Sequence, residues 1–375
     1  MSRERLKRLY IVAGEASGDL HGSNLIRALK SQEDMLSIRC WGGDLMSQAG
    51  GVVVKHIREL AFMGFIEVLL NLRTIYKNLK FCKADILDFK PDILILIDYP
   101  GFNLRIAEWA SRNGIRVCYY ISPQVWAWKQ SRVFKIKRFV EKMYVILPFE
   151  EEFYAKFNYP VTYVGHPLLD AIKNYEPAER FIQQLNVSAD RPVITLLPGS
   201  RKQEVTVKLP IMLEAVKPLR EYRIIVIGAP SLDSDLYKKI MGDNGEIYFG
   251  HTYDLLSISE AALVTSGTAT LEAAIMRIPQ VVCYKGSRVS YSIAKFLIKI
   301  RFISLVNLIM DEEVVSELIQ DECNAERMRE ELLKLLKGGS GREKLLEAYD
   351  RLDLKLGQGG ASLKVAQSLL KTLGE

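Results

Sequence analysis

Short runs that are apolar at nearly every position recur along this chain, separated by longer segments of helical periodicity. Leu9–Ala13, Ile93–Ile97, Arg116–Tyr120 and Met143–Leu147 read as buried strands in the first half. Val193–Leu197, Arg223–Ile227, Ala262–Thr265 and Gln280–Tyr284 do so in the second. Gly22–Lys30, Ile106–Arg112, Val207–Val216 and Thr270–Met276 are among the helical segments between them. A strand that is apolar on both faces needs cover on both sides of its sheet. Helices interposed between such strands supply that cover, and the outcome is a parallel sheet. The series restarts after about residue 165, and His166–Pro192 holds the linker. Two doubly wound, Rossmann-like α/β domains are expected, 1–168 and 169–341. After the break at Gly338–Gly341 comes a helical tail, 342–375, with helices at Arg342–Leu356 and Ala361–Leu373. No strand follows them, so they pack back on a domain or on a second subunit, the latter making a homodimer through the tail.

A length of 375 residues suits two such domains. With 49% hydrophobic and 26% charged residues, disordered and collagen-like classes are excluded. The net charge of +6 permits an anionic partner, either a phosphate-bearing substrate or a lipid surface. Cys40, Cys82, Cys118, Cys283 and Cys323 are scattered and form no CxxC, which fits a reducing, cytosolic compartment. The four histidines are equally dispersed, so no zinc constellation is visible. The basic N-terminus runs into a first strand and not into a signal peptide. Neither Leu60–Leu72, interrupted by Glu67, nor Tyr291–Met310, with Lys295, Lys299 and Arg301, reaches the roughly 20 apolar residues of a spanning helix. A membrane would be met from the side.

Four turns carry candidate chemistry, each at a strand end, where parallel sheets bind ligands. Gly14–Gly22 follows the first strand and sets Glu15, Asp19 and His21 among three glycines. Its spacing is not that of a dinucleotide fingerprint; it reads as a site, or as a tight turn with Asp19 capping the helix. Asp98 ends the most apolar strand, at a turn forced by Pro100 and Gly101; it reads as a desolvated carboxylate able to act as a general base, or as a cap on the following helix. Gly199, Ser200 and Arg201 offer amides and a guanidinium suited to an anionic oxygen, or form a turn whose Arg is solvated. Ser266, Gly267 and Thr268 open a helix whose free amides face outward, with Glu272, one turn on, able to hold both hydroxyls of a ribose, or they cap the helix and Glu272 is solvated; two such turns in one domain favour the anion site.

Two further segments are unusual. Leu60–Leu70 contains Phe62, Met63, Phe65, Ile66 and Leu69 and leads into Arg73, Lys77, Lys80 and Lys83 at helical spacing. It reads as an interfacial, lipid- or acyl-contacting segment or as an ordinary core helix. Tyr119–Lys129 interleaves aromatic and basic residues, but no nucleic-acid module or dense basic stripe accompanies it, so nucleic acid is not expected as a partner.

Taken in order, GEASGDLHG (14–22), GGDLM (42–46), FMGFIEVL (62–69), ISPQVWAW (121–128), LPFEEEFY (147–154), YVGHPLLD (163–170), LLPGSRKQEV (196–205), SGTATLE (266–272) and NLI (307–309) resemble the lipid-A-disaccharide synthase family. The family usually has Pro where this chain has Val306, and Pro-Glu-Leu-Leu at Ser316–Ile319. The resemblance implies a GT-B glycosyltransferase-like fold, its two domains facing a cleft. It implies an inverting transfer from UDP-2,3-diacylglucosamine to 2,3-diacylglucosamine 1-phosphate, giving a β(1→6) disaccharide 1-phosphate and UDP. It further implies a lipid-binding acceptor domain first and a UDP-sugar domain second, with Asn307 added to the UDP contacts. Asp98 is the expected base, with Glu15 and Asp19 as alternatives. No metal or cofactor is expected. The expected location is cytoplasmic, peripheral on the inner face of the inner membrane. Another UDP-sugar enzyme of this fold, a 2-epimerase or a soluble-acceptor transferase, and a non-catalytic UDP-gated lipid-binding protein remain as alternatives.

Overall fold

The computed structural model describes residues 6–60, 72–185, 191–287, 291 and 300–374. They divide into two compact units, Met1–Pro167 with Gln358–Glu375, and Leu168–Gly357.

The strands of the first unit are β1 (Lys7–Ala13), β2 (Leu36–Gly42), β3 (Val52–His56), β4 (Ile93–Ile97), β5 (Arg116–Tyr120), β6 (Lys142–Val145) and β7 (Thr162–Tyr163). They form one parallel sheet in the order β3-β2-β1-β4-β5-β6-β7. Strand β4 is buried along its whole length. Its residues alternate between two cores, as the pleat requires. Leu94 and Leu96 join Tyr10 and Val12 of β1 beneath Phe102, Ile106 and Ile86. Ile93, Ile95 and Ile97 join Leu25, Ile26 and Leu29 on the other face.

The strands of the second unit are β8 (Val193–Leu197), β9 (Arg223–Gly228), β10 (Glu246–Phe249), β11 (Ser259–Thr265), β12 (Gln280–Tyr284) and β13 (Glu317–Ile319). They form a parallel sheet in the order β10-β9-β8-β11-β12-β13.

The segment 342–375 is divided between the two units. Helix Arg342–Leu356 belongs to the second unit, where Tyr349 is fully buried and its hydroxyl is 3.2 Å from Gln280 Nε2. Helix Ala361–Gly374 returns to the first, where Ala361, Val365, Ala366 and Leu369 close the core on the face of Ile93 and Ile95. The Tyr144 hydroxyl donates to Ser368 Oγ at 2.9 Å, and Lys142 Nζ to Thr372 Oγ1 at 2.7 Å. The tail's apolar stripes are thus covered within one chain.

Candidate active site

In a doubly wound sheet the ligand crevice opens where the strand order reverses, outside the carboxyl ends of the two central strands. In the first unit that point lies between β1 and β4, and the residues leaving those strands are Gly14-Glu15 and Asp98-Tyr99. The two turns are in contact: a Cβ on Gly14 would stand 2.3 Å from the Tyr99 ring, which is why glycine is needed there. Asp98 and Tyr99 both adopt left-handed backbone, with φ of 42° and 50°. Consecutive non-glycine residues in that region are strained, a condition that concentrates at functional sites. The strain is held by a clamp on the main chain. Asp98 N–H donates to Tyr120 O at 3.1 Å, and the Asp98 carbonyl accepts from the buried Asn103 Nδ2 at 2.8 Å and from the Tyr119 hydroxyl. The backbone is fixed while the carboxyl points elsewhere. Burial, and then the negative charge of Glu15, push its pKa up to about 6, against a weaker opposing bond from the Tyr99 amide. Glu15 itself is exposed at the start of helix Ala16–Lys30.

Asp19, expected as an alternative base or as a helix cap, is engaged by main-chain amides. It is 4% exposed, and its oxygens accept from the amides of Gly43 (2.6 Å), Met46 (3.0 Å) and Leu45 (3.2 Å). It caps the short helix Asp44–Gln48 from across the fold, supplying the acceptor that the otherwise uncapped Gly43 end lacks. Its lone pairs are spent on structure. The segment Phe62, Met63, Phe65, Ile66 and Leu69 lies outside the described residues.

In the second unit the order reverses between β8 and β11, and the turns leaving those strands are the two anion-type turns of the sequence. After β8, Gly199 takes φ +114, and a Cβ there would meet Glu204 Oε2 at 2.3 Å. That carboxylate folds back and accepts from Ser200 N at 3.1 Å and Arg201 N at 3.4 Å. The amides expected to be open therefore hold an anionic oxygen of the chain's own. The Arg201 side chain remains 75% exposed. After β11, helix Thr268–Ile275 starts at Gly267 with no side-chain cap. The Ser266 hydroxyl donates to Ile303 O at 3.0 Å. One turn on, Glu272 accepts from the Tyr253 hydroxyl at 3.0 Å, and burial raises its pKa.

Beside Glu272 is a cavity of about 550 Å³ lined by Tyr175, His251, Tyr253 and Asp254 among others. His251 lies flat on Phe181, ring centroids 3.9 Å apart, and its Nδ1 is 2.9 Å from Asp254 Oδ2. Asp254 also accepts from Ala178 N at 2.7 Å and from the Tyr175 hydroxyl. This wall escaped the sequence reading, because it hangs on the edge strand β10, which has no continuous apolar run.

Asn307 brings no free polar group to a ligand. It is fully buried; Oδ1 accepts from Val314 N and Val315 N, and Nδ2 donates to Val315 O and Glu317 Oε1, all at 2.8–2.9 Å. Glu317 also accepts from Ile303 N and Ser304 N. The pair ties segment 303–307 to β13 despite the non-proline residues at 306 and 316, and through Ile303 O it steadies Ser266.

This is the fold of GT-B glycosyltransferases and of the sugar-nucleotide epimerases built like them. A UDP-GlcNAc 2-epimerase from Neisseria meningitidis, solved with UDP-GlcNAc, superposes with a TM-score of 0.70 at 13% identity, covering 97% of this chain and 100% of that one. The glycotransferase of kitacinnamycin superposes with a TM-score of 0.69 at 12% identity, covering 98% and 100%. The chain belongs to the lipid-A-disaccharide synthetase family, whose model matches residues 9–368, and so to the glycosyltransferases of lipid A biosynthesis. Lipid-A-disaccharide synthase of Geobacter metallireducens is 40% identical over 376 residues, 98% of each chain. That of Myxococcus xanthus is 38% identical over 373 residues, 98% of this chain and 97% of its own.

Proposed function

We propose that this chain transfers 2,3-diacylglucosamine from its UDP conjugate to the 6-hydroxyl of 2,3-diacylglucosamine 1-phosphate, releasing UDP. The observation that carries the reading is the switch point of the second sheet. Arg201, the uncapped helix after Gly267 and the buried Glu272 stand at the ends of the two strands where a nucleotide is expected. Gly199, Ser200 and Arg201 take the diphosphate together with Ser266, Gly267 and Thr268, and Glu204 yields its amides to the phosphate oxygens. Glu272 takes the ribose hydroxyls, and the Tyr253–His251 wall encloses the nucleoside. Asn307 acts through its clamp on Ser266. Arg201 and the helix amides stabilise the departing diphosphate as charge accumulates on it. In the first unit Asp98 removes the acceptor's proton, with Glu15 keeping its affinity for that proton high. One in-line displacement inverts the anomeric carbon.

Phe62, Met63, Phe65, Ile66 and Leu69 receive acyl chains or meet the lipid surface. Among the described residues no helix is long and apolar enough to cross a membrane. The protein works in the cytoplasm, at the inner face of the inner membrane, where the proposed lipid substrates reside. The test is incubation of purified protein with both lipid substrates and mass analysis of the products. Disaccharide 1-phosphate and UDP in equal amounts support the reading. Epimerised UDP-sugar, or UDP binding without turnover, replaces it.

A further inference from the structure

The ISPQVWAW segment is a strong motif that the Asp98 turn does not absorb. It leaves β5, whose last residue, Tyr120, is paired with Ile97 of β4, so it starts beside Asp98. Its first part is packed away: Ser122, Val125, Trp126 and Ala127 are buried, and Ser122 Oγ lies 2.7 Å from the Tyr154 hydroxyl. The chain then emerges at Trp128, a large aromatic left 40% exposed. Two cations stand on that ring, Lys129 Nζ at 4.8 Å and Arg132 Cζ at 5.1 Å from its centroid. Lys129 holds left-handed backbone, φ 51°, to be there. Among the described residues neither cation has a carboxylate partner, although neighbouring Lys135 pairs with Glu108. The first turn of helix Arg132–Phe139 contains no acid either. Arg132 also acts electrostatically on the Tyr119 hydroxyl, the group that donates to the Asp98 carbonyl. Like charges gathered on one aromatic plate, with a strained backbone and no counter-ion, are unfavourable until an anion arrives.

We propose that Lys129 and Arg132, held on Trp128, form the subsite for the phosphomonoester of the acceptor sugar. This rests on the reaction proposed above. On that acceptor the phosphate is on C1 and the attacking hydroxyl on C6, the exocyclic carbon borne by C5, and C1 and C5 flank the ring oxygen of one hexose. A base and a phosphate site must therefore lie about a sugar apart, and the segment that leaves β5 beside Asp98 reaches Trp128, on which the two cations stand, within eight residues. A guanidinium matches a phosphate dianion with two parallel hydrogen bonds, and the indole keeps it oriented.

The experiment compares acceptors with and without the 1-phosphate, in neutral detergent micelles and in vesicles containing anionic lipid. Arg132→Ala is expected to raise KM for the phosphorylated acceptor about ten-fold or more. Its KM for the donor, its UDP affinity and its melting temperature should match wild type. With the acceptor lacking phosphate, wild type and variant should react alike. Lys129→Ala should act in the same direction with a smaller effect, and Arg132→Lys should recover part of the loss. Equal slowing on both acceptors would overturn the subsite. So would a defect present only with anionic vesicles and absent in neutral micelles, which would assign the cations to lipid headgroups. Wild-type protein that makes no disaccharide from either acceptor would overturn the parent reaction, an outcome distinct from loss of the subsite alone.

Discussion

Replacing Asp98 with Asn separates what this carboxyl does for catalysis from what it does to stability. Burial first, and the charge of Glu15 second, lift its pKa from the ordinary 3.8 to about 6. A carboxyl raised in the folded state favours folding while it is protonated. That contribution is fully present below about pH 4 and is lost as the pH rises through about 6. Above that window, keeping Asp98 ionised costs the folded state up to about 3 kcal/mol, at roughly 1.36 kcal/mol per pKa unit. Asparagine has the same shape, carries no charge and tolerates the left-handed backbone found here at φ 42°. Asp98→Asn should therefore be more stable than wild type at about pH 8, by up to that amount, with the advantage gone at about pH 4. Turnover should fall about 10²–10⁴-fold, because the amide cannot take the proton. In wild type, kcat/KM should drop about tenfold per pH unit below about pH 6. Glu15→Gln should move that limb to lower pH, by less than the interval from 3.8 to about 6, since burial is the larger cause. Denaturant titrations at both pH values, beside disaccharide formation across the pH range, make the measurement. A variant destabilised at about pH 8, or one retaining more than about a tenth of wild-type turnover, refutes the reasoning.

Arg201→Ala and Glu272→Ala should each weaken UDP binding about ten-fold or more, since a charged hydrogen bond contributes roughly 1.5–3 kcal/mol; calorimetric titration with unchanged affinity in both would remove the nucleotide from the second unit. Asp19→Ala should lower stability by about 1–3 kcal/mol, because it strips an acceptor from the amides of Gly43, Leu45 and Met46; thermal melting checks this, and an unchanged melting temperature with lost turnover would return Asp19 to the catalytic group. Phe65→Ser with Ile66→Ser should reduce co-sedimentation with liposomes and raise KM for the lipid substrates without the drop of several degrees in Tm that a core deletion brings; early unfolding together with no wild-type affinity for liposomes would make the segment core.

The central strands were legible because their burial is two-sided. Ile93–Ile97 and Val193–Leu197 are enclosed along their whole length, and runs that are apolar at every position but Thr195 are the direct imprint of that environment. The unforeseen strands are those where the environment changes. β3 runs exposed to half-buried, β10 is half-buried throughout, β7 has two residues and β13 three, and all four lie at sheet edges. β2 has a partner on each side but carries Ser37 and Arg39 between its apolar residues. An edge strand owes its place to backbone pairing with its neighbour, and pairing leaves little mark on side-chain choice. The reversal of order that makes each crevice depends on how many strands lie on each side of β1 and of β8. Missing the edges therefore hid the switch points, although the turns at them were read correctly as turns at strand ends.

The acids at those turns show where residue type stops being informative. Glu15, Asp19 and Asp98 are the same chemistry at the ends of two adjacent strands, and composition alone ranks them poorly. What separates them is the direction of nearby amides. Three backbone N–H groups of a helix 24 to 27 residues away converge on Asp19, which commits both of its oxygens. At Asp98 the converging donors, Asn103 and Tyr119, reach the carbonyl instead, so they hold the main chain and leave the carboxyl to other partners, the Tyr99 amide among them. The same count describes the Gly199 turn and Asn307. Glu204 occupies amides that a phosphate was expected to find open, and Asn307 has its four hydrogen bonds met by Val314, Val315 and Glu317. A polar residue in a motif becomes a candidate for chemistry only after its hydrogen bonds are counted. By that count Asp98 stands apart from Asp19, and Lys129 and Arg132, which on Trp128 have no acidic partner among the described residues, stand apart from the paired lysine beside them.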